Sequence, residues 1–174
     1  MKSEIGPAYA RAMARYNAWM NAKLYDAAAT LSDAERKRDR GAFFKSIHGT
    51  LNHLLLVDVY LFDALEGRTP TPFPLDGEMH RDFADLRAAR EAIDAKIIAW
   101  AEGLTEISFA GAFSWYSTST KTRRTMARAH GVLHFFNHQV HHRGQATTLL
   151  TQAGADVGPT DIHRMPGIAT VRPE

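Results

Sequence analysis

The sequence predicts an all-α protein with the architecture of a four-helix bundle. Four long segments repeat their apolar residues every three or four positions, which is the spacing of a buried helical face. The connectors hold most of the prolines and many of the glycines, and almost no segment alternates apolar and polar residues as a strand would. Four such helices are expected to bury their apolar faces against one another around one core.

Length and composition indicate one ordinary globular domain. A chain of 174 residues can bury roughly 70% of its unfolded surface, so residues 1–174 are predicted to form a single domain. The net charge of +2 is scattered along the chain, which argues against a nucleic-acid partner. Neither a membrane-spanning run nor the apolar core of a secretory signal is visible, so a cytoplasmic protein without a membrane partner is expected.

The first helix is predicted over residues 7–31. Pro7 suits the first turn of a helix, and Ala, Met and Leu residues continue an amphipathic pattern after it. Ser32 and Glu35 then have the spacing of a capping box, which predicts a short turn or helix. Gly41 ends this short element and separates it from the next long helix.

The second helix is predicted over residues 42–66, with Phe44 on its mostly apolar face and Gly67 at its end. His53 lies on an adjacent strip of the same helix, and small residues one turn earlier leave room beside its ring. A lone histidine in an apolar helix is more often a hydrogen-bonded core residue than a metal ligand. Further histidines are therefore needed before His53 can be read as a ligand.

Two connectors of different character flank the third helix, which is predicted over residues 80–102. The proline-rich segment 67–79 is a crossover that lets this helix run in either direction along the bundle. After the third helix, residues 103–122 are aromatic and then polar, which predicts a short hairpin or an extended lid. The final helix is predicted over residues 124–152, with Gly154 as the residue that ends it.

The final helix carries four of the nine histidines within nine residues, at positions His134, His138, His141 and His142. Helical residues four apart lie on one face, and such a histidine pair can place two imidazole nitrogens on one metal ion. Spacing alone leaves several histidine pairs possible as ligands of one metal ion, and His138 belongs to all of them. His134 and His142 are roughly 12 Å apart along the axis, too far for one ion to bind both.

The residue types exclude several familiar metal and hydrolase sites. A zincin needs a glutamate after the first histidine, and this chain has Gln139. There is no Glu-x-x-His motif for a di-iron bundle, no Gly-x-Ser-x-Gly motif and no cysteine. His53 with His138 and His142 would instead make a three-histidine site, the open arrangement of catalytic zinc, although imidazole also suits nickel, iron and copper.

Two histidine-containing motifs carry a resemblance to a known family. They are Phe135-Phe-Asn-His-Gln-Val-His-His-Arg-Gly-Gln145 and Phe43-Phe-Lys-Ser-Ile-His-Gly-Thr-Leu-Asn-His53. Weaker matches are Tyr16-Asn-Ala-Trp-Met-Asn21 and Thr160-Asp161. Together they span nearly the whole chain, which resembles the DinB/YfiT-like family of four-helix-bundle metalloproteins.

The resemblance implies a bundle of up-down-down-up order, usually a homodimer, with one divalent metal ion. Carried over residue by residue, it implies His53, His138 and His142 as the metal ligands. Zinc or nickel is expected first, and iron or manganese next. Gln145 lies near His142 and is expected to hydrogen-bond there. The other residues expected beside the site, as neighbours or pocket walls, are His134, His141, Tyr60, Trp115 and Tyr116.

Two classes of function follow as expectations. Relatives in the resembled family include thiol-dependent S-transferases and a thiol-dependent isomerase. A metal ion in an open site could present a small-molecule thiol as thiolate or activate water, so the first expectation is a thiol S-transferase or a hydrolase. The second is a non-catalytic, metal-stabilised dimer that serves as a stress-response or binding module.

Overall fold

The structure, a computed structural model, describes residues 5–74, 76–117 and 120–169. Most of the described chain is helical, as predicted. The helices are α1 (Pro7–Ala29), α2 (Asp33–Lys37), α3 (Ile47–Leu65), α4 (Phe83–Gly103) and α5 (Arg128–Gln152). The remaining elements are the strands β1 (Ala112–Ser117) and β2 (Thr122–Ala127) and two short 3-10 turns, Glu106–Phe109 and Ile162–Arg164.

The four long helices surround one apolar core. Helix α1 packs against α4 and α5, and α3 packs against the same two helices. The core leucines and phenylalanines come from all four helices, because each presents an apolar stripe at helical spacing. Fully enclosed examples are Leu24, Leu55, Leu65, Leu86, Phe135 and Leu150. None of the described helices combines the length and the apolar composition that a bilayer span needs.

Ion pairs define the relative direction of α1 and α4. Arg15, near the start of α1, contacts Glu102, near the end of α4, at 2.6 Å. Asp26, near the end of α1, contacts Arg87, near the start of α4, at 2.7 Å. The two helices therefore run antiparallel.

Helices α3 and α5 are also antiparallel. His53, early in α3, faces His138 in the middle of α5, with ring centroids 5.5 Å apart. At the other end, Arg128 in the first turn of α5 donates a 2.6 Å hydrogen bond to the carbonyl oxygen of Leu65, the last residue of α3. This pairing brings the histidine-bearing faces of the two helices together.

Helix α3 begins at Ile47, so the predicted start at residue 42 is wrong. The hydroxyl of Ser46 accepts a 2.9 Å hydrogen bond from the amide of Gly49, which makes Ser46 the N-cap. The preceding residues form a tight turn instead of a first helical turn. Phe44 therefore lies in this turn, and its assignment to the apolar face of the helix is also wrong.

Helix α5 begins at Arg128, four residues after the predicted start, because the chain first completes a β-hairpin. Strand β2 pairs antiparallel with β1 across the connector for which a hairpin or a lid was predicted. Met126 lies opposite Phe113, and the hydroxyls of Ser114 and Thr125 are hydrogen-bonded at 2.8 Å. Cross-strand pairs of this kind stabilise the strand conformation, which outweighs the helical spacing read from the sequence.

The end of α5 is where the sequence predicted it. Gly154 has φ +82°, a left-handed conformation that costs glycine little. The amide of Ala155 donates to the carbonyl oxygen of Leu150 at 2.9 Å, and the amide of Gly154 donates to that of Thr151 at 3.0 Å. These bonds satisfy carbonyl groups that a helix end would otherwise leave unpaired.

The hairpin lies against α5 at Gly131. A Cβ atom on this glycine would lie 2.6 Å from two ring carbons of Phe113. The Phe113 side chain is only 2% exposed, so it is packed on all sides and cannot shift easily to relieve the clash. We expect Gly131→Ala to lower the free energy of unfolding by about 1–3 kcal/mol, the usual cost of overpacking. Urea unfolding measures this change. Gly103→Ala is the control, because a Cβ there meets no atom within 4 Å, and equal losses in both variants would contradict the account.

Candidate metal centre

Three histidines from two facing helices meet at one point. His53 comes from α3, and His138 and His142 lie one turn apart on α5. The ring centroids of His138 and His142 are 4.4 Å apart, and His53 lies 4.5 Å from His142 and 5.5 Å from His138. Each ring offers one nitrogen, and these nitrogens all lie within 4.8 Å of one another.

Phe44 supports the cluster from the turn before α3. Its ring stacks on His53, with centroids 3.7 Å apart and planes inclined by 18°. The same ring meets His142 edge-to-face, with ring centroids 5.6 Å apart. Gly49 makes this approach possible, because a Cβ there would lie 2.2 Å from the carbonyl oxygen of Phe44. Sequence reasoning missed this role, although Ser46, a favourable N-cap residue, was the available signal that the helix starts later.

The imidazoles of His138 and His142 are held in their neutral form. Burial, and after it repulsion from His142 and His53, lowers the pKa of His138 to about 2. Burial also lowers the pKa of His142, against the opposing effect of its hydrogen bond to Gln145. Neutral imidazole is the form that binds a metal ion, so both side chains have a lone pair available near neutral pH.

Gln145 orients one of the three rings. Its side-chain oxygen, Oε1, lies 2.7 Å from Nδ1 of His142. Because an amide oxygen only accepts hydrogen bonds, Nδ1 carries the proton and Nε2 carries the lone pair. The amide nitrogen of Gln145 lies 3.3 Å from Nε2 of His141, which is consistent with this orientation of the amide. The contact is the type of outer hydrogen bond that commonly accompanies metal-binding histidines.

The aromatic residues that the sequence suggested as pocket walls lie beside the cluster. Together with His53 and His138 they line a cavity of about 240 Å³. The hydroxyl of Tyr60 donates a 2.7 Å hydrogen bond to the carbonyl oxygen of Tyr116, which ties the hairpin to α3. Trp115 stacks on His134, with ring centroids 5.8 Å apart. His134 is therefore part of the cavity wall and lies outside the three-histidine cluster.

Three further histidines are not members of the three-histidine cluster. His141 and His130 are exposed on α5. His48 is 2% exposed, and its Nε2 lies 2.9 Å from the carbonyl oxygen of His80 and 3.3 Å from the Glu78 carboxylate.

A second, larger cavity touches the other side of His53. It has a volume of about 590 Å³, and its lining includes the charged or polar residues Lys37, Lys45, His48, Asp76 and Glu78. Sequence reasoning did not find this cavity, because its walls come from α2, the turn before α3 and the crossover, which are distant in sequence. His53 thus borders one mainly aromatic cavity and one charged cavity.

The residues present fit a divalent metal ion. Nδ1 of His138 is buried and has no hydrogen-bond partner among the residues that the structure describes. A buried polar atom without a partner is costly, and coordination of an ion is one way to compensate it. Three imidazole nitrogens suit zinc, nickel, iron or copper, so the donor set alone does not select the metal.

Fold and site together define a helical-bundle protein with a cluster of three histidines on facing helices. The DinB family matches the chain over residues 2–172, and the chain therefore belongs to this family. The search among curated proteins found no match.

Two solved structures share the fold. A DinB-like protein from Bacillus cereus has 17% sequence identity and a TM-score of 0.64, and the match covers 83% of this chain and 90% of that one. YfiT from Bacillus subtilis has 19% identity and a TM-score of 0.63, with 90% and 94% of the two chains covered. YfiT is described as a probable metal-dependent hydrolase with an unusual four-helix bundle topology.

Metal-free protein is expected to lose stability as the pH falls below about 6.5. The unfolded chain protonates His138 near its ordinary pKa of 6.5, whereas the folded chain takes up this proton only near pH 2. Between these values the unfolded state binds more protons, so the free energy of unfolding falls by at most about 1.4 kcal/mol per pH unit from this group. Urea unfolding from pH 8 to pH 5 measures the slope. His138→Gln should flatten it, and an unchanged slope in that variant would contradict the assignment.

Proposed function

We propose that the protein is a metal-dependent enzyme that holds one divalent ion, zinc or nickel first, through His53, His138 and His142. The observation that carries the proposal is the convergence of these three imidazoles beside two cavities. A bound ion would supply Lewis-acid activation of a coordinated water or thiol. Three protein ligands leave a position for that molecule, as in catalytic zinc sites.

We also propose the up-down-down-up helix order for the bundle. Helix α4 is antiparallel to α1, and α5 is antiparallel to α3. Asp58 of α3 contacts Arg90 of α4, and Phe62, one turn later on α3, contacts Trp100, further along α4. These contacts advance in the same direction along both helices, so α3 and α4 run parallel. These three relations support the order, which presents His53 opposite the histidine pair of α5.

Hydrolysis is the first reaction proposed for this centre. The printed description of YfiT supports it, as does the availability of neutral imidazoles that can hold an ion near neutral pH. Of the chain's own residues, the aromatic rings that line the smaller cavity would position the substrate, and Gln145 holds His142 in one tautomer.

Thiol S-transfer is the second reaction proposed, and the two cavities favour it. A transferase needs space for two organic reactants, and His53 borders both cavities. Because the chain has no cysteine, the thiol would be a small molecule. In either reaction the partner is a small-molecule substrate, and a homodimer is the proposed assembly.

An activity screen tests the proposed function. Metal-loaded protein is assayed for hydrolysis of ester and amide substrates, and for transfer of low-molecular-weight thiols to electrophiles. We expect an activity that chelation abolishes, that added metal restores and that His138→Ala lacks. A reaction that persists in His138→Ala would contradict the assignment of the site. If the protein binds metal but shows no activity, and removal of the metal dissociates the dimer, the hypothesis of a non-catalytic, metal-stabilised dimer is correct.

A further inference from the structure

We propose that the aromatic cavity beside the histidine cluster accepts an uncharged, apolar group of the substrate, such as an aryl ring, directly next to the atom that binds the metal. This inference rests on the proposed metal centre and adds the chemical class of the substrate to it. The carrying observation is that two of the three clustered histidines, His53 and His138, line this cavity.

The lining of the cavity selects against charge. Its walls are mainly Val57, Tyr60, Leu61, Phe73, Trp115 and Tyr116, and no Lys, Arg, Asp or Glu occurs among its described lining residues. A charged group that enters such a space loses water without gaining an opposite charge from these walls, which is costly. The volume of about 240 Å³ is ample for an aromatic ring, since an apolar protein cavity of roughly 150 Å³ already holds benzene.

Contacts between three separate segments hold the walls in place. Phe73 of the crossover meets the Tyr60 ring edge-on, with centroids 5.2 Å apart. Tyr60 is 6% exposed and donates its hydroxyl hydrogen bond to the backbone of Tyr116 in the hairpin. Trp115 stacks on Phe113, whose ring is buried, at 5.2 Å. A wall that is already assembled costs little ordering when a ligand enters, which favours binding.

The charged cavity on the other side of His53 is the competing location. It is larger, but it includes His53 alone of the three clustered histidines. Its lysines and acidic residues suit a polar reactant, such as a charged thiol. Two of the clustered histidines line the aromatic cavity, whereas only one lines the charged cavity. A substrate bound at the cluster therefore extends more readily into the aromatic cavity, and we assign the apolar group to that side.

Hydroxamates test the assignment, because they bind metal ions through one fixed group and differ only in their substituent. The dissociation constants of acetohydroxamate, benzohydroxamate and 4-carboxybenzohydroxamate are measured by calorimetry on zinc-loaded protein. We expect benzohydroxamate to bind at least about tenfold more tightly than acetohydroxamate, because its ring buries apolar area. The carboxylated analogue should lose most of this gain.

Variants of the two cavities make the result specific. Phe73→Ala and Trp115→Ala should each reduce the ratio of benzohydroxamate to acetohydroxamate affinity about threefold or more, whereas Lys37→Ala in the charged cavity should leave it unchanged. Phe73 is in the crossover, outside every helix and strand, so its variant remains informative if Trp115→Ala disturbs the hairpin.

The outcomes separate the inference from the proposed function. If zinc binds and acetohydroxamate binds, but the affinity ratio is the same in all variants, the apolar cavity is not the substrate site and the metal centre stands. If the carboxylated compound binds best and Lys37→Ala weakens it, the charged cavity is the site and the inference is wrong. If no hydroxamate distinguishes zinc-loaded from metal-free protein, the proposed open metal site itself fails, and the inference fails with it.

Discussion

Replacing His138 with alanine is expected to abolish stoichiometric metal binding. His138 contacts both other histidines of the cluster, so its removal leaves two ligands, one on each helix. Loss of an outer hydrogen bond to a ligand typically costs 10–100-fold in metal affinity, and loss of a ligand itself should exceed about 100-fold. Metal content after dialysis, measured by plasma mass spectrometry, gives the result.

Two histidines of the same helix provide matched controls for this variant. His130 is exposed, and His130→Ala should keep one equivalent of metal. His134→Ala tests the alternative pairing that the sequence left open, since His134 is also four residues from His138. We expect His134→Ala to keep the metal as well. One full equivalent of metal in His138→Ala, or its loss in His134→Ala alone, would contradict the assigned ligand set.

Replacing Arg90 with leucine is expected to lower the free energy of unfolding by about 3–5 kcal/mol. Arg90 is 2% exposed and donates to the carboxylates of Asp58 at 2.5 Å and Asp94 at 2.7 Å. The variant would remove the cation that both buried carboxylates contact directly, and Asn17 and Asn21, which donate to Asp94, cannot supply the missing charge. Burial already raises the pKa of Asp58 to about 6 despite Arg90.

Arg87→Ala is the control for the buried ion pair. Arg87 lies one turn earlier on α4 and pairs with Asp26 and Glu91 at the surface. Exposed pairs contribute about 0–1 kcal/mol, so this variant should change the urea midpoint only slightly. Equal destabilisation by the two substitutions would show that the buried network contributes no more than a surface pair.

The helices were predictable because their stability depends on local apolar spacing, which the sequence displays. The start of α3 was not predictable in this way, because the helical spacing of apolar residues continues upstream of the true start. Ser46 as N-cap and the turn that contains Phe44 end the helix there instead. The start of α5 was misplaced for a related reason. Strand β2 exists only through its pairing with β1, and pairing between strands cannot be read from the spacing of either one.

The candidate site divides in the same way. Helical periodicity places several possible histidine pairs on α5, and the family resemblance was the guide that selected His138 and His142 from them. The choice of His53 depends on α3 and α5 facing each other, for which the resemblance was again the guide. The buried network was missed, although Asp58 and Arg90 both stood in apolar stripes of the sequence. A charged residue in an apolar stripe is a signal of a buried, paired charge, because an unpaired one would be too costly.

The central claim is that His53, His138 and His142 hold one metal ion together. A crystal structure of the zinc-loaded protein, with anomalous data collected on both sides of the zinc absorption edge, tests it most directly. The account predicts a single strong anomalous peak with one nitrogen of each histidine about 2.0–2.1 Å away. A peak held by other side chains, or no peak between α3 and α5 in protein that contains one equivalent of zinc, would contradict it.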